Sequence, residues 1–148
     1  GRKSYQETKI FIDNFISKNY SIQKRIEFII PNAPVKQIKL LKNKTDYHIT
    51  IDEIVTGGFH QATIEAIVTG GVGVANPDFL SLISYSASIH ADEIAPIKIA
   101  KSYDQLQQIL SEYLLDPDIL IEDMRLSKKF AQNYLIPERL GKIILGKF

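Results

Sequence analysis

The first thirty residues carry apolar side chains at the spacing of amphipathic helices. These positions recur mostly at steps of three and four residues, and they are Ile10, Phe11, Phe15, Ile16, Ile22, Ile26, Ile29 and Ile30. Polar residues at 19–21 interrupt the pattern, and Ser21 is a residue type that caps helix N-termini. Pro31 disfavours helix in the residue before it. We therefore predict two helices, over residues 4–18 and 21–30.

After the second predicted helix, the apolar period shortens toward two residues, which is typical of strands. The alternation with polar residues is carried by Tyr47, Ile49 and Ile51. Residues 42–46 (Lys-Asn-Lys-Thr-Asp) have the composition of a turn. We predict one strand over 36–41 and another over 46–55, joined as an antiparallel hairpin.

Three further segments of the middle region are predicted to be strands. Residues 62–69 are rich in β-branched side chains and end at a glycine pair. Residues 79–90 alternate apolar residues with serines, which favours a strand half covered by core. The alternative for this segment is a helix with Asn76 at its N-cap and Pro77 at its first position. A short strand over 97–100 follows.

The C-terminal third returns to helical spacing. Its first apolar stripe consists of Leu106, Ile109, Leu110, Tyr113 and Leu114. Ser102 is placed to cap this helix. Asp116 and Pro117 end it and start another, with the aspartate as N-cap and the proline as the first helical residue. A last helix is predicted over 138–145, ending at Gly146.

This order of elements predicts an α+β domain that spans residues 1–148. N-terminal helices precede a central, mainly antiparallel sheet of four to five strands, and C-terminal helices follow it. The order is similar in outline to RWD-type interaction domains and to cone-shaped nuclear transport factor-like domains. No signature residues accompany that resemblance, and a fold does not imply a function.

Composition supports a folded chain and removes several kinds of chemistry. Of the 148 residues, 45% are apolar, and none is cysteine, which excludes disulfides, thiolate metal sites and cysteine nucleophiles. The net charge of +1 hides a strong segregation along the chain. Residues 1–44 carry ten basic and three acidic side chains, 45–124 carry two and thirteen, and 125–148 carry six and one. We expect the basic ends to lie against the acidic middle or to present a basic face to phosphate or lipid.

Neither a membrane span nor a secretory signal is visible in the sequence. No window approaches the length of uninterrupted apolar residues that a transmembrane helix needs, and the start lacks the pattern of a signal peptide. The chain begins Gly1-Arg2, and its one methionine is Met124. We therefore expect it to be a fragment of a longer chain.

The cluster most similar to a catalytic site is His90, Asp92 and Glu93, because a histidine beside carboxylates can act as a base or bind a metal. A solvated loop is the competing interpretation of this cluster. His48 and His60 are predicted to lie on the surface, and no histidine pair has helical metal-ligand spacing.

The glycine-rich run at 70–73 is interpreted as a tight turn. It lacks the Gly-Lys-Ser/Thr ending of a phosphate-binding loop and the spaced glycines of a dinucleotide loop. Asp118 and Glu122 would share a helical face, but their position near a helix start favours a capping role. We predict no metal site and no cofactor.

Basic residues supply a candidate nucleic-acid surface in two regions. One surrounds the first predicted turn and the other follows the last helices; the candidate residues are Lys39, Lys42, Lys44, Arg125, Lys128, Lys129, Arg139 and Lys142. No helix-turn-helix, zinc-finger or RNA-motif signature accompanies them. A solvated charged face is the competing interpretation.

We therefore expect a non-catalytic protein-interaction or assembly domain, with a protein partner or self-association. Apolar residues near the C-terminus, Ile143, Ile144, Leu145 and Phe148, are of the kind that a partner covers. Nucleic-acid binding through the basic segments is one alternative, and a small metal-dependent or hydrolytic enzyme is another.

Overall fold

The computed structural model describes residues 2–18, 27–29, 45–55 and 57–146. Within these residues the chain forms six helices and three strands. In chain order they are α1 (Arg2–Lys18), β1 (Ile49–Ile51), α2 (Gln61–Val68), β2 (Val72–Ala75), α3 (Phe79–Ser88), β3 (Lys98–Ile99), α4 (Tyr103–Leu115), α5 (Pro117–Tyr134) and α6 (Pro137–Ile144). The described part is thus mostly helical.

The sheet corrects the predicted fold class. Its three strands are all parallel and lie in the order β1-β2-β3, with Ile49 opposite Val72 and Val74 opposite Lys98. A parallel pair requires a long crossover, and helices α2 and α3 supply the two crossovers. The antiparallel sheet of four to five strands is therefore wrong for the described residues, and so is the element order that underlay the resemblance in outline.

Each face of the sheet is covered by helices. Side chains alternate along β2, so Val72 and Val74 point to one face, where they pack with Phe15 of α1 and with the buried stripe of α4. Ala75 points to the other face and packs with Leu82 of α3. All four residues of β2 are buried. The result is a central strand enclosed between two helical layers.

The segment predicted to be a strand over 62–69 is the crossover helix α2. Its β-branched residues suit a strand, but burial follows helical steps, because Thr63, Ala66 and Ile67 lie on one face. Packing on the sheet overrides the weak local preference. The glycines that follow form the turn into β2, with Gly70 at a φ of 83°.

The segment over 79–90 forms helix α3, which was the alternative to the predicted strand. The buried residues are Leu82, Ser86 and Ile89, again at helical spacing. The N-cap is Asp78 and not Asn76, because the Asp78 carboxylate accepts a hydrogen bond of 2.7 Å from the Ser81 backbone N–H. The alternation of serines does not correspond to the buried face.

The C-terminal predictions are confirmed. Ser102 caps α4 through a hydrogen bond from the Gln105 backbone N–H, and Asp116 caps α5, which begins at Pro117. Helix α6 starts at Pro137 and is followed by Gly146 at a φ of 61°.

The remaining predictions are confirmed in part, or they concern residues outside the described ranges. Helix α1 and strand β3 correspond to the predictions over 4–18 and 97–100, while β1 is shorter than the strand predicted over 46–55. Residues 27–29 have no regular secondary structure. The rest of the second predicted helix and the strand over 36–41 lie outside the described residues.

Candidate binding site at the carboxyl edge of the sheet

The carboxyl ends of the three parallel strands meet at one edge of the sheet. We call it the carboxyl edge and define it by the segments that follow the strands, residues 52–60, 76–78 and 100–102. Each segment leads into the N-terminus of a helix, namely α2, α3 or α4. Helix N-termini carry partial positive charge, and open α/β sheets bind ligands outside this edge. This edge is therefore the candidate location for a binding site.

Asp52 organises the segment after β1. Its Oδ2 accepts hydrogen bonds from the backbone N–H of His60 (2.8 Å) and from the Thr63 hydroxyl (2.6 Å), and its Oδ1 lies 3.3 Å from Nδ1 of the His60 ring. Burial opposes ionisation of this carboxyl, but the hydrogen bonds outweigh burial and hold the pKa of Asp52 below its ordinary value. A carboxylate thus occupies the N-terminus of α2.

Backbone and amide hydrogen bonds tie this segment to the end of β2. The backbone N–H of Asp52 donates to the carbonyl of Val74 (2.8 Å), and that of Asn76 donates to the carbonyl of Glu53 (3.0 Å). The Asn76 side chain adds a bond from Nδ2 to the Ile54 carbonyl (2.8 Å). Hydrogen bonds between polar groups therefore fix the segment after β1 to the segment after β2.

The N-termini of α3 and α4 are capped differently. Asp78 caps α3 with a carboxylate that accepts from the backbone N–H and the hydroxyl of Ser81, and these bonds lower the pKa of Asp78. Ser102 caps α4 with a neutral hydroxyl, and the Lys101 backbone N–H donates to the Gln105 side chain (2.8 Å). Carboxylates thus lie at the starts of α2 and α3, from Asp52 and Asp78, whereas the cap of α4 is a neutral hydroxyl.

A groove of about 630 Å³ opens between α1 and the segments that follow β1 and β3. Its lining residues are Glu7, Ile10, Phe11, Asn14, Ile54, Val55, Lys101, Ser102 and Tyr103. The rings of Phe11 and Tyr103 stack at a centroid distance of 5.3 Å, and the Tyr103 hydroxyl lies 3.0 Å from the Thr8 hydroxyl. The groove thus combines apolar walls with a few polar side chains, which suits a small ligand.

The predicted catalytic cluster lies away from this groove. His90, Asp92 and Glu93 are exposed in the connection that enters the amino end of β3, at the opposite edge of the sheet. His90 has a positive φ of 51°, and its carbonyl accepts a hydrogen bond of 2.6 Å from the Arg139 guanidinium. This bond joins α6 to the turn after α3.

The predicted basic surface is partly engaged within the molecule. Arg125 forms two hydrogen bonds with Glu122, at 2.7 and 2.6 Å, which raise the pKa of the guanidinium and lower that of the carboxyl. The Arg139 guanidinium also lies 5.1 Å from the ring centroid of Tyr134. The side chains of Lys128, Lys129 and Lys142 are exposed. Lys39, Lys42 and Lys44 fall outside the described residues.

A polar cluster that the sequence analysis missed joins β3 to α4 and α5. Lys98 Nζ and the Tyr113 hydroxyl both lie 2.6 Å from the same oxygen of Asp123, to which each donates. Burial, together with the bond to this carboxylate, raises the pKa of Tyr113 well above its ordinary value. The cluster satisfies its own groups and fixes the two helices on the sheet. A lysine inside an apolar strand was its signal in the sequence.

The residues of the carboxyl edge were also missed. Asp52 was assigned to the interior of a predicted strand and Lys101 to no site. The surface position predicted for His60 is confirmed, but its contact with Asp52 was not foreseen. The available signal was a carboxylate directly after an apolar run, followed by glycines. That signal indicates a residue at the carboxyl edge only when the strand is known to belong to a parallel sheet.

Comparisons with protein-family models, with curated proteins and with solved structures found no match. The described residues also contain neither a membrane-spanning helix nor a metal-binding cluster. No helix there is both long and apolar enough to cross a membrane. No group of three or more histidine, aspartate or glutamate side chains there is arranged to hold a metal ion.

Proposed function

We propose that this domain binds a small molecule in the groove at the carboxyl edge, and that the ligand joins an apolar ring to an anionic group, as a nucleotide does. The observation that carries the proposal is the position of the groove, which lies between α1, the segment after β1 and the N-terminus of α4. Its volume of about 630 Å³ lies within the usual range for small-molecule sites.

The walls of the groove favour the apolar part of such a ligand. Ile10 and Val55 are more than half exposed, at 61% and 53%, so a ligand that covered them would remove apolar surface from water. The stacked rings of Phe11 and Tyr103 line the same groove and offer flat surfaces to an aromatic group.

Lys101 and the N-terminus of α4 favour an anionic group on the ligand. Lys101 is exposed on the groove, directly before the neutral cap Ser102. The N-termini of α2 and α3 already hold the carboxylates of Asp52 and Asp78. Asp104 in the first turn of α4 and Glu7 on the opposite wall limit the positive potential. An anion would therefore bind beside Lys101.

The chain topology adds support by analogy. The described elements from β1 to β3 form one βαβαβ unit, and a unit of this kind makes up each mononucleotide-binding half of dinucleotide-binding folds. A fold alone does not determine a function, so the topology supports the proposal less strongly than the groove does.

The functions expected from sequence have different degrees of support. The nucleic-acid hypothesis stays a proposal. Arg125 and Arg139 make hydrogen bonds within the domain, the other described candidates are exposed, and the three lysines at 39–44 lie outside the described residues. The enzyme hypothesis at His90 places the chemistry away from the groove.

The protein-interaction hypothesis stays a proposal. Of the C-terminal apolar residues on which it rested, Ile144 and Leu145 are exposed and Ile143 is partly buried, while Phe148 lies outside the described residues.

Ligand-observed NMR with nucleoside monophosphates, aromatic carboxylates, inorganic phosphate and uncharged nucleosides tests the proposal. We expect the ring-plus-anion compounds to bind, and Ile10→Glu to weaken them about tenfold, equivalent to about 1.4 kcal/mol. Lys101→Ala should weaken the anionic compounds more than the uncharged ones. Ile121→Glu is the matched control, because Ile121 on α5 is also 61% exposed but lies outside the groove.

Absence of binding by every compound would overturn the proposal. So would binding that Ile10→Glu and Ile121→Glu weaken equally, because the groove would then have no special role. Binding by inorganic phosphate alone, without any ring compound, would contradict the part played by the apolar walls.

A further inference from the structure

The outer face of α3 has a composition unlike that of a solvent-facing helix. No residue from Phe79 to Ser88 is charged. Its exposed positions are Phe79, Leu80, Ile83, Ser84, Ala87 and Ser88. Phe79 and Leu80 are 65% and 75% exposed. Surfaces that lack charge and present large apolar side chains are typical of the centres of protein interfaces.

Exposed apolar residues also occur on and just before β3. Among the described strands β3 lies at an edge of the sheet, and Ile99 on it is 41% exposed. Side chains alternate along a strand, so Ile99 lies on the same side of the sheet as Ile97, which packs with Leu82 of α3. Ile94, just before β3, is 46% exposed. We define the α3 surface as Phe79, Leu80, Ile83, Ile94 and Ile99.

Acidic side chains border both ends of α3. Asp78 precedes the helix, and Asp92 and Glu93 follow it; all three are exposed. In the part of the chain that the structure describes, none of them forms a salt bridge. The apolar α3 surface therefore lies between two acidic ends, and at the second of these ends the Arg139 guanidinium is bound to the His90 carbonyl.

From this arrangement we infer that the α3 surface binds an amphipathic helix of another protein, whose apolar face is bordered at both ends by lysine or arginine. The exposed apolar side chains supply the anchors, and the two acidic ends supply charge complementarity and orientation. A ten-residue helix is about 15 Å long, so a partner helix of three to four turns would span it.

The acidic ends of α3 disfavour the main alternatives for the occupant. A second copy that used the same surface would bring acidic ends together in either orientation, because both ends of α3 are acidic. An anionic bilayer or a nucleic acid would be repelled by the same acidic ends. A basic-bordered helix is the partner that both the apolar surface and the charges fit.

Selection from a yeast-displayed library of sixteen-residue amphipathic helices, with variable border positions, tests this inference. We expect selected helices to carry lysine or arginine at both borders. Leu80→Glu should weaken their binding at least tenfold, and the double variant Asp92→Asn/Glu93→Gln should weaken it severalfold and reduce its salt dependence. Leu115→Glu, at an 82% exposed leucine of α4, is the matched control and should leave binding unchanged.

Several results would overturn the inference. These are a selection that enriches no helix, one that enriches acidic borders, and binding that Leu80→Glu leaves unchanged. Light scattering that shows a dimer abolished by Leu80→Glu would assign the surface to self-association instead. Vesicles with phosphatidylserine that bind through Leu80 would assign it to a membrane. Ile10→Glu, in the groove, should not change helix binding.

Discussion

The Asp52 side chain holds the segment after β1 against the start of α2. One carboxylate connects the end of β1 to the backbone of His60 and the hydroxyl of Thr63, both at the start of α2. Asp52→Asn removes the charge and one of the acceptor oxygens, so we expect the free energy of unfolding to fall by about 1–3 kcal/mol. Urea titration followed by circular dichroism measures this change.

Asp46→Asn is the control for Asp52→Asn, since Asp46 is an exposed carboxylate in the turn before β1. It should change the free energy of unfolding by less than about 0.5 kcal/mol. Equal effects of the two substitutions would show that the Asp52 network contributes nothing beyond surface charge.

The stability difference between the wild type and Asp52→Asn should depend on pH, in a direction that the pKa of Asp52 determines. The pKa of Asp52 is lower in the folded chain than its ordinary value of 3.8. Its charge therefore stabilises the fold above the unfolded pKa, and this contribution is lost as the pH falls through the folded pKa. The stability difference between the wild type and Asp52→Asn should be constant near neutral pH and shrink below pH 3.8. A difference that grows on acidification would contradict the assigned direction.

Among the elements, α2 and β2 approach each other closely at Gly73. A Cβ atom at this glycine would lie 2.6 Å from Cγ2 of Thr63 and 3.1 Å from its carbonyl oxygen. Gly73→Ala should therefore cost about 1–3 kcal/mol of unfolding free energy through overpacking. Thermal and urea unfolding of the variant measure the loss.

Two further variants separate this contact from a general effect of alanine. Gly58→Ala should be nearly neutral, because no atom lies within 4 Å of a Cβ built there. Thr63→Ser keeps the hydroxyl that donates to Asp52 but removes Cγ2, so the cost of Gly73→Ala should be smaller in that background. An unchanged cost would show that Cγ2 is not the obstacle.

Helix starts could be predicted from the sequence because capping is a local interaction. Ser102 and Asp116 each satisfy a backbone N–H within the next three residues, and Pro117 fits the first turn of a helix in any protein. These signals need no knowledge of the rest of the fold. The helices α4 and α5 were accordingly predicted at their observed starts.

The strand predictions over 62–69 and 79–90 were wrong because burial there is decided by tertiary contacts. Short apolar segments rich in β-branched residues suit either state, and the sheet on which they pack determines the outcome. Phe79 and Ile83 were assigned to a core face, yet both are exposed, while Ser86 is buried and accepts a hydrogen bond from the Ala95 backbone N–H. The apolar pattern of this segment fits both a strand and the alternative helix, so it does not show which residues are buried.

For the molecule as a whole, the candidate site exists only because the sheet is parallel. Parallel strands bring residues 52–60 and 100–102 to one edge, although about forty residues separate them in sequence. The mainly antiparallel sheet that was predicted would have placed these segments differently. The loop entering β3, with His90, lies at the other edge for the same topological reason.

Stability should also be distributed unevenly over the molecule. Strand β2 has a neighbour on each side and all of its residues are buried, whereas α6 contains no buried residue. α6 is fastened in part by the Arg139 guanidinium, which bonds to the His90 carbonyl and packs over the ring of Tyr134. We expect β2 amides to exchange with solvent only through global unfolding, and α6 amides through a local opening that costs several kcal/mol less.

Hydrogen exchange of Arg139→Met tests this uneven distribution. Loss of a hydrogen bond from a charged group costs about 1.5–3 kcal/mol, so exchange in α6 should accelerate by about tenfold or more. Exchange in β2 should accelerate by a similar factor, because the bond is absent from the globally unfolded state as well, but it should remain much slower than exchange in α6. Lys142→Met, at an exposed position of the same helix, should have little effect on either element. Equal opening free energies for the α6 and β2 amides, in the wild type and in Arg139→Met, would instead show that α6 unfolds together with the sheet.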